Sequence, residues 1–554
     1  MPELLHPGVY VTEVPSTDRP IEGVSTSTTA FIGVTDKGPL PGTKLPSGQA
    51  AQPVMVTSFT DYTRKFGGYR QDSYLTYAVR AFFENGGVRL YIVRIVGKAV
   101  APALPAAASV LPVGSGIQIS AINEGLWGDQ MSIEIADSIS DPDPNNFRLV
   151  VHYGQATTVN KVTYPAPAVE SFDPITFQGS PSSAPYGRDI VNNRSEYIVI
   201  TDDFNARPNP TPTAQDARGR PLAQPISLAN GNDGPPPTSD DFIGQPAQDS
   251  TVAGTGLYAL DKVTDVDLIA IPGQGDVDTI NAGMNYCKLE RKLQDCFFIA
   301  DLGSLDIKNA RNDSAQPDVA TFQAARDFAV STTAPLARSS GDYGALYFPW
   351  VFAADPIGRG RNPRILLPPS GFMAGIYARI DNTRGVFKAP AGTEAGVAGA
   401  LSTATIVDDS EQDELNPVSV NVIRTVPGSG IVVWGTRTLS SDSSWRYVPV
   451  RRMAIFLRVS IYYGIQWAVF EPNDEPLWAS LRFNIRAFML TQFRAGAFQG
   501  STPDEAFFVK CDSTTTTQQD IDNGVVNILV GFAPLKPAEF VVLKLSQKVN
   551  QPAE

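Results

Sequence analysis

The chain has 554 residues, 42% of them hydrophobic, and its 44 basic and 57 acidic side chains leave a net charge of −13. A chain of this length holds about three or four domains, and its hydrophobic content is ample for real cores. The acidic balance argues against a nucleic-acid-binding surface. No apolar run reaches the roughly 18 residues of a membrane span without interruption by charge. The first seven residues lack the basic and apolar regions of a signal peptide, which predicts synthesis and assembly in a cytosol.

An isolated extended strand is predicted near the N-terminus. Its side chains alternate between two faces, with Val9, Val11 and Glu13 on one face and Tyr10, Thr12 and Val14 on the other. A segment with proline at both ends, residues 15–20, separates it from the next apolar run at 29–34. Because the strand has no local hairpin partner, it either pairs within its own subunit or adds to the sheet of another chain.

The next two segments differ in character. Residues 74–85 read as a helix and residues 88–96 as a buried strand, after which an Ala/Pro-rich linker begins at residue 99. From there to residue 229, short β-type runs at 117–121, 131–136, 148–153 and 197–201 alternate with polar turns, which predicts a small β-sandwich or barrel. Residues 205–224 read as a surface loop.

Residues 230–407 are predicted to form an α/β layer. Apolar runs at 258–260, 266–271, 297–301 and 345–348 read as buried strands, and helical patterns at 278–293 and 319–329 lie between them. Strands that alternate with helices indicate a largely parallel sheet.

The C-terminal part combines strands with two helices. Strand signals at 418–426 and 431–434 precede a helix predicted over 450–470, whose apolar residues on all sides indicate burial. A second helix follows, with Asn473 or Asp474 as its cap and Pro476 in its first turn. Two further strands are predicted at 525–530 and 539–545. The last of these consists of Glu539, Phe540, Val541, Val542, Leu543, Lys544 and Leu545.

The residues needed for catalysis or metal binding are not found together. A nucleophilic serine needs a general base, normally histidine, and the two histidines are His6 and His152. The α/β segment therefore has none, and Ser370 reads as a turn residue. Three cysteines, Cys287, Cys296 and Cys511, are too few and too widely spaced for a disulfide framework or zinc site, so we expect small buried side chains. No catalytic, cofactor or metal site is predicted.

Arginines concentrate on and beside the two C-terminal helices of this acidic chain. They are Arg446, Arg451, Arg452, Arg458, Arg482, Arg486 and Arg494. Each arginine either pairs with a carboxylate of its own fold or contributes to a basic strip that binds an acidic partner. The residues alone leave both possibilities open.

Three groups of short motifs run along the chain. Near the N-terminus they are HPGVYVTEV (6–14), IEGVSTS (21–27) and AFIG (30–33). In the α/β segment they are DVDLIAIPG (265–273), ALYFPWV (345–351), PPSG (368–371), AGIYARID (374–381) and RGVFKAPAG (384–392). In the C-terminal part they are NVIR (421–424), WGTRTL (434–439), YVPVRR (447–452), FEPND (470–474) and APLKPAEF (533–540). In this order the motifs resemble those of contractile tail sheath proteins, the family found in phage tails, R-type pyocins and extracellular contractile injection systems. Residues 102–225 carry hardly any resemblance.

The resemblance implies a multidomain α+β and α/β fold. It implies an N-terminal arm at 1–28 exchanged with a neighbour and a core domain in two parts, 29–98 and 408–535. A β-rich outer domain would occupy 99–229, a subtilisin-like α/β domain without a catalytic triad 230–407, and a terminal strand and tail 536–554. Both terminal strands would then pair with neighbouring subunits.

The implied function is that of a structural subunit that polymerises as helical rings around an inner tube and contracts. Arg482, Arg486 and Arg494 are then predicted to face that tube. The other expected partners are baseplate and tail-terminator or cap proteins, with no nucleic acid and no direct membrane insertion. The alternatives are a non-contractile, self-assembling shell or surface protein and a hydrolase, which the missing histidine opposes.

Overall fold

The structure is a computed structural model that describes residues 19–45, 49–98, 108, 110–111, 117–159, 162–216, 218–249, 251–311, 315–361 and 363–539. The predicted strand at residues 9–14 and residues 540–545 of the predicted terminal strand lie outside this range. The chain divides into two compact units. We call Ser25–Arg452 the central unit, and Met1–Val24 with Met453–Glu554 the terminal unit.

The strands are numbered in chain order. They are β1 (Thr29–Gly33), β2 (Val54–Val56), β3 (Leu90–Arg94), β4 (Ile119–Ala121), β5 (Met131–Asp137), β6 (Phe147–Tyr153), β7 (Thr157–Val159), β8 (Val162–Tyr164), β9 (Ala168–Ile175), β10 (Ile198–Ile200), β11 (Thr213–Gln215), β12 (Pro221–Ala223), β13 (Ile226–Ser227), β14 (Leu268–Ala270), β15 (Phe297–Asp301), β16 (Gly344–Phe348), β17 (Val351–Ala354), β18 (Arg364–Leu367), β19 (Ala400–Thr403), β20 (Val420–Val426), β21 (Gly430–Val433), β22 (Phe507–Lys510) and β23 (Leu529–Phe532).

The α-helices are numbered in the same way. They are α1 (Phe59–Phe66), α2 (Leu75–Glu84), α3 (Gly187–Arg194), α4 (Ser239–Ile243), α5 (Val277–Asn285), α6 (Phe322–Val330), α7 (Ser370–Arg384), α8 (Asp409–Leu415), α9 (Val448–Gly464), α10 (Glu475–Arg494), α11 (Pro503–Ala506) and α12 (Gln518–Asp522).

The central unit is built on one eight-stranded sheet with the order β2-β3-β1-β14-β15-β16-β20-β21. The six inner strands run parallel, and the two edge strands are antiparallel to their neighbours. Every residue of β15 and of β16 is buried. Strands of a parallel sheet are covered on both faces and so appear in sequence as continuous apolar runs. The predicted parallel α/β layer is confirmed, and it includes strands from residues 29–94 and 420–433 as well.

Two glycines allow close packing of the helices α2 and α7. A Cβ atom at Gly371 would lie 2.7 Å from the Cα atom of Ala78, and one at Gly375 would lie 2.5 Å from the carbonyl oxygen of Phe82. Any larger side chain at either position would therefore push the helices apart. Helix α7 also packs on β14 and β15, so it is buried along most of its length.

The segment 117–229 of the central unit is rich in antiparallel strands. Its largest sheet has the order β13-β5-β6-β9, and the pairs β4–β10, β7–β8 and β11–β12 are separate. The buried side chains alternate along β5, where Met131, Ile133 and Ile135 enter the local core. The strands predicted at 131–136 and 148–153 are confirmed. The residues read as a surface loop at 205–224 instead contain the β11–β12 hairpin.

The terminal unit contains α10 and the two-stranded sheet β22–β23. Asp474 caps α10, because its side chain accepts a hydrogen bond from the backbone N–H of Leu477, and Pro476 lies in the first turn. The apolar residues on one side of α10, Leu477, Leu481, Ile485 and Phe488, are buried. Leu477, Leu481, Trp478 and Cys511 form a small core in this unit.

Three element predictions are wrong. The helix predicted over 450–470 ends at Gly464 and is followed by a short 3-10 turn, Gln466–Ala468. The run at 258–260 belongs to the 3-10 helix Gly256–Leu260 rather than to a strand, since a short apolar run does not distinguish the two. The strand predicted at 525–530 begins only at Leu529.

Candidate assembly surfaces

The hairpin β22–β23 has one covered face and one exposed face. The register pairs Phe507 with Phe532 and Phe508 with Gly531. The rings of Phe507 and Phe532 lie 6.1 and 5.7 Å from the ring of Phe498 on the covered face. On the opposite face Phe508 is 46% exposed. Its ring lies over Gly531, where a Cβ atom would come within 2.3 Å of it.

This hairpin has free edges within the described residues. Its sheet contains only β22 and β23, so no further strand pairs with the outer side of either one in the part of the chain that the structure describes. Two strands alone are marginally stable in water, and unpaired edge groups attract additional strands. The arrangement is therefore chemically suited to accept an extended segment by backbone hydrogen bonding.

A group of exposed apolar residues lies in the last turn of α9 and just beyond it, and the sequence did not predict it. Tyr462, Tyr463 and Val469 are exposed, and the side chain of Phe470 is fully exposed. Phe470 also has a φ angle of 72°, an unusual backbone conformation for a large side chain. The apolar run had indicated burial on all sides, and only Gly464 could have signalled that the helix ends early.

Within the terminal unit, the segment before β1 contacts α9 and the 3-10 turn that follows it. The guanidinium of Arg19 lies 4.8 Å from the ring centre of Trp467, and Ile21 is buried. The backbone N–H of Val24 donates a hydrogen bond of 3.1 Å to the hydroxyl of Ser460. Of the segment with proline at both ends, residues 15–20, residues 15–18 lie outside the described range.

Two of the seven arginines are buried and bind carboxylates of the central unit. Arg451 contacts Asp342, and Arg452 binds Asp381 with its Nη2 atom 2.5 Å from Oδ2. Because each arginine and its partner are nearly inaccessible to water, neither side chain is available to another molecule. Both belong to the first alternative of the sequence analysis, pairing within the fold.

The three arginines predicted to face a tube differ in their surroundings. Arg482 is 33% exposed, lies 3.2 Å from a carboxylate oxygen of Glu475 and donates a hydrogen bond to the carbonyl oxygen of Cys511. Arg486 is 49% exposed and pairs at 2.9 Å with Asp504, which is 83% exposed. Arg494 is exposed at the end of α10. Arg486 and Arg494 are thus accessible, whereas Arg482 is partly committed to its own fold.

Ser370 lies beside a carboxylate, and the one histidine among the described residues, His152, lies elsewhere, on β6. It is the first residue of α7, not the predicted turn residue, and its hydroxyl donates a hydrogen bond of 2.8 Å to Asp301. Burial raises the pKa of Asp301 to about 6, against the opposing effect of hydrogen bonds from Gly273 and Ser370. His152 lies on β6, where its Nδ1 and Nε2 atoms contact the carbonyl oxygen of Ala166 and the carboxylate of Glu134.

The last candidate residues are the cysteines and the possible metal ligands. All three cysteines are free and buried, as predicted. Within the described ranges, no group of three or more His, Cys, Asp or Glu side chains is arranged to hold a metal ion. Over the same residues, every helix is too short or too polar to cross a membrane.

The fold defines a mixed α/β multidomain protein whose terminal unit contains a two-stranded hairpin. Two family models match the chain, the phage tail sheath protein central domain at residues 252–439 and the phage tail sheath C-terminal domain at residues 440–548. Together they span more than half of the 554 residues. The chain belongs to the phage tail sheath protein family.

Individual relatives agree with this assignment. The chain is 28% identical over 174 residues to a prophage major tail sheath protein of Pseudomonas aeruginosa, a stretch that covers 31% of this chain and 44% of the relative. It is 24% identical over 179 residues to the tail sheath protein of Enterobacteria phage T4, which covers 32% of this chain and 26% of the relative. The matched stretch thus spans less than half the length of either relative.

Solved structures resemble the whole chain. The sheath complex of the extracellular contractile injection system PVC, in its contracted state, has a TM-score of 0.55 at 21% identity and covers 99% of both chains. The sheath tail protein Lin1278 of Listeria innocua has a TM-score of 0.57 at 13% identity and covers 93% of this chain and 96% of that one. At these identities the likeness shows the shared fold.

Proposed function

We propose that the protein is the structural subunit of a contractile tail sheath, which polymerises as helical rings around an inner tube and contracts to drive the tube through a target envelope. The observation that carries this function is the family match over residues 252–548. The non-contractile shell is not favoured, because the matched proteins are tail sheath proteins. Open, heterologous contacts between identical subunits generate such helical assemblies.

The test is coexpression with the tube protein of the same particle, followed by electron microscopy. We expect striated sheaths that enclose tubes and that are found in a long, narrow form and a short, wide form. Shells that form equally well without tube, and that have one length and one width, would support the non-contractile alternative instead. A matched preparation without tube protein is the control.

The terminal strands are proposed to join neighbouring subunits. Val9–Val14 and Glu539–Leu545 would add to sheets of adjacent copies, and the hairpin β22–β23 supports this proposal because its outer edges have no strand partner among the described residues. Backbone pairing holds two subunits together without a fixed angle between their cores. Such joints suit a polymer whose subunits must reorient.

The tube contact is proposed for Arg482, Arg486 and Arg494. Exposure of Arg486 and Arg494 supports this role, whereas the hydrogen bond from Arg482 to the carbonyl of Cys511 limits what Arg482 can contribute. Screened pairs between exposed charges contribute about 0.2–1 kcal/mol each, so they can be broken singly and still add up over many rings. An attachment that contraction must release needs this property.

Three domain ranges are proposed as the resemblance implies them. The arm would cover residues 1–28, the outer β-rich domain 99–229 and the tail 536–554. The predicted division between a core at 29–98 and 408–535 and a subtilisin-like domain at 230–407 is not kept, because strands from all three ranges share one eight-stranded sheet. The segment 230–407 would be structural, because Ser370 and Asp301 are buried side by side and the described histidine, His152, lies in the β-rich segment. We propose that the protein is not an enzyme.

The proposed partners follow from the same function. The subunit would bind other copies of itself, the inner tube, the baseplate and a tail-terminator or cap protein. It would assemble in the bacterial cytoplasm, without nucleic acid and without inserting into a membrane, and become part of a phage tail or a contractile particle.

A further inference from the structure

The chain passes between its two compact units twice, and both passages lie next to the same carboxylate. The units divide between Val24 and Ser25 and again between Arg452 and Met453. Thr26 and Arg452 belong to the central unit and lie close to these two divisions. Both bind Asp381 on α7. These two connections are 426 residues apart in sequence, yet they converge on one side chain.

The contacts around Asp381 form a closed network. The hydroxyl of Thr26 donates to Oδ2 of Asp381 at 2.7 Å, and Arg452 donates to Oδ1 at 2.9 Å and to Oδ2 at 2.5 Å. Arg452 also donates to the carbonyl oxygen of Thr26 at 2.6 Å. Arg452 therefore binds both the carboxylate and the first connection directly.

The surroundings hold this network rigidly. The side chains of Arg452 and Asp381 are 4% and 3% exposed. The guanidinium lies 4.8 Å from the ring centre of Tyr377, one turn before Asp381 on the same helix. Two residues beyond Thr26, the backbone N–H of Thr28 donates at 2.8 Å to the carboxylate of Asp267. The segment that enters β1 is thus held by two acidic side chains, Asp381 and Asp267.

A buried ion pair is an expensive way to gain stability. Desolvation of both charges offsets most of their attraction, and an apolar pair of similar volume is often equally stable. Such a pair does, however, fix geometry, because the planar guanidinium binds the carboxylate through two parallel hydrogen bonds. An ion pair that also binds the backbone carbonyl oxygen of Thr26 therefore holds the segment around Thr26 in one position.

We propose that Thr26, Asp381 and Arg452 form a mechanical anchor, the place where the central unit holds both of its connections to the rest of the chain. A force applied to either connection is then transmitted through this anchor to α7 and to the parallel sheet on which α7 packs. Without the anchor, the same force would separate the start of β1 from the sheet. The inference rests on the proposed function, since only a subunit that moves within a sheath carries such a load.

A neighbouring pair provides the control. Arg451 precedes Arg452 on the same helix, is equally buried and binds Asp342, which also accepts from Lys288 at 3.0 Å. Every one of these residues lies within the central unit, and none belongs to the segment 21–28. Loss of this second pair removes a buried ion pair of the same type without touching either the Thr26 connection or Asp381.

The test compares two charge-free double variants, Arg452→Met with Asp381→Asn and Arg451→Met with Asp342→Asn, with wild type. All three are coexpressed with tube, and the sheaths are triggered and scored by electron microscopy. We expect wild type and the Arg451 double variant to contract fully, and the Arg452 double variant to assemble but stop partway. Full contraction of the Arg452 double variant would overturn the anchor, as would the same failure in both double variants. Failure of wild type to form a contractile sheath would instead refute the proposed function.

A milder variant keeps the inference testable if the Arg452 double variant does not fold. Thr26→Val removes only the hydroxyl that donates to Asp381, and hydrogen exchange of the Thr28 amide is followed in the soluble full-length subunit. We expect exchange about tenfold faster than in wild type, the change that corresponds to loss of one hydrogen bond to a charged group. Thr383→Val, on the exposed side of α7, should leave that rate unchanged. An unchanged rate in Thr26→Val would overturn the anchor.

Discussion

Of the three arginines on α10, Arg482 is expected to stabilise the subunit itself. Arg486 and Arg494 are expected to act in contacts with another molecule. The perturbations are Arg482→Ala, Arg486→Ala and Arg494→Ala, made singly. Arg482 donates to the backbone carbonyl of Cys511 and contacts Glu475, so its removal leaves a partly buried acceptor without that donor. We expect a loss of about 1–2 kcal/mol in the free energy of unfolding.

The other two substitutions should cost less. Arg486 forms an exposed ion pair with Asp504 and lies 5.6 Å from the ring centre of Phe507. Exposed ion pairs and exposed cation–π contacts are each worth about 1 kcal/mol or less, which bounds the cost of Arg486→Ala. Arg494 is exposed at the last position of α10, and surface substitutions of this kind fall within about 0.5 kcal/mol.

Urea unfolding of the isolated subunit measures the order of the three stability losses. Cosedimentation with tube measures the proposed contact of Arg486 and Arg494 with the tube. Arg486→Glu with Arg494→Glu should reduce tube-filled sheath and leave the subunit folded, with the effect largest at low ionic strength because exposed charges are screened by salt. Arg218→Glu with Arg359→Glu, two exposed arginines outside the terminal unit, controls for net charge. A greater loss of stability in Arg494→Ala than in Arg482→Ala would refute the structural reasoning. Normal wrapping of tube by the Arg486/Arg494 variant at low salt would refute the tube contact.

Three further predictions concern the rest of the chain. Deletion of Met1–Asp18, which leaves the Arg19 contact with Trp467 in place, should give a folded monomer that forms no sheaths in electron microscopy; normal assembly would contradict strand exchange. Because the raised pKa of Asp301 makes the folded state bind a proton more tightly, wild type should lose up to about 3 kcal/mol relative to Asp301→Asn as the pH rises from about 4 to about 6, measured by urea unfolding at each pH. A pH-independent difference would argue against that pKa. Burial also raises the pKa of Cys511 to about 11, so a thiol reagent at pH 8 should modify none of the three buried cysteines in native protein and all three after unfolding.

The parallel sheet could be predicted from sequence because its signal is local. Phe297–Asp301 is apolar along almost its whole length and lies between helical patterns, and the predicted and observed bounds coincide. The start of α10 was predicted to within one residue, since Asn473 or Asp474 as the cap and Pro476 in the first turn are residue types that begin a helix. The end of α9 was not, because its apolar run continues past Gly464 into residues that remain exposed.

The partners of the arginines could not be predicted, because they lie far away in the chain. Arg451 and Asp342 are 109 residues apart, and Arg452 and Asp381 are 71 apart. Nothing in the local sequence distinguishes these two arginines from Arg486, whose partner Asp504 is only 18 residues away. Which carboxylate reaches which guanidinium depends on the order of strands and helices in the folded unit.

Burial therefore divides the arginines of the C-terminal helices into two groups with different proposed roles. An arginine that is already desolvated and bound to a carboxylate, such as Arg452, has no donor to offer a partner and can only fix the position of its own chain. An arginine at the surface, such as Arg494, is expected to contribute little to folding, and its exposed donors are proposed to bind another molecule. The hairpin β22–β23 follows the same reasoning for backbone groups: outer edges left unpaired within the described chain are the groups that a neighbouring strand can still satisfy. In the proposed sheath, these exposed backbone and charged groups would make contacts that can break and form again, as a polymer whose subunits reorient requires.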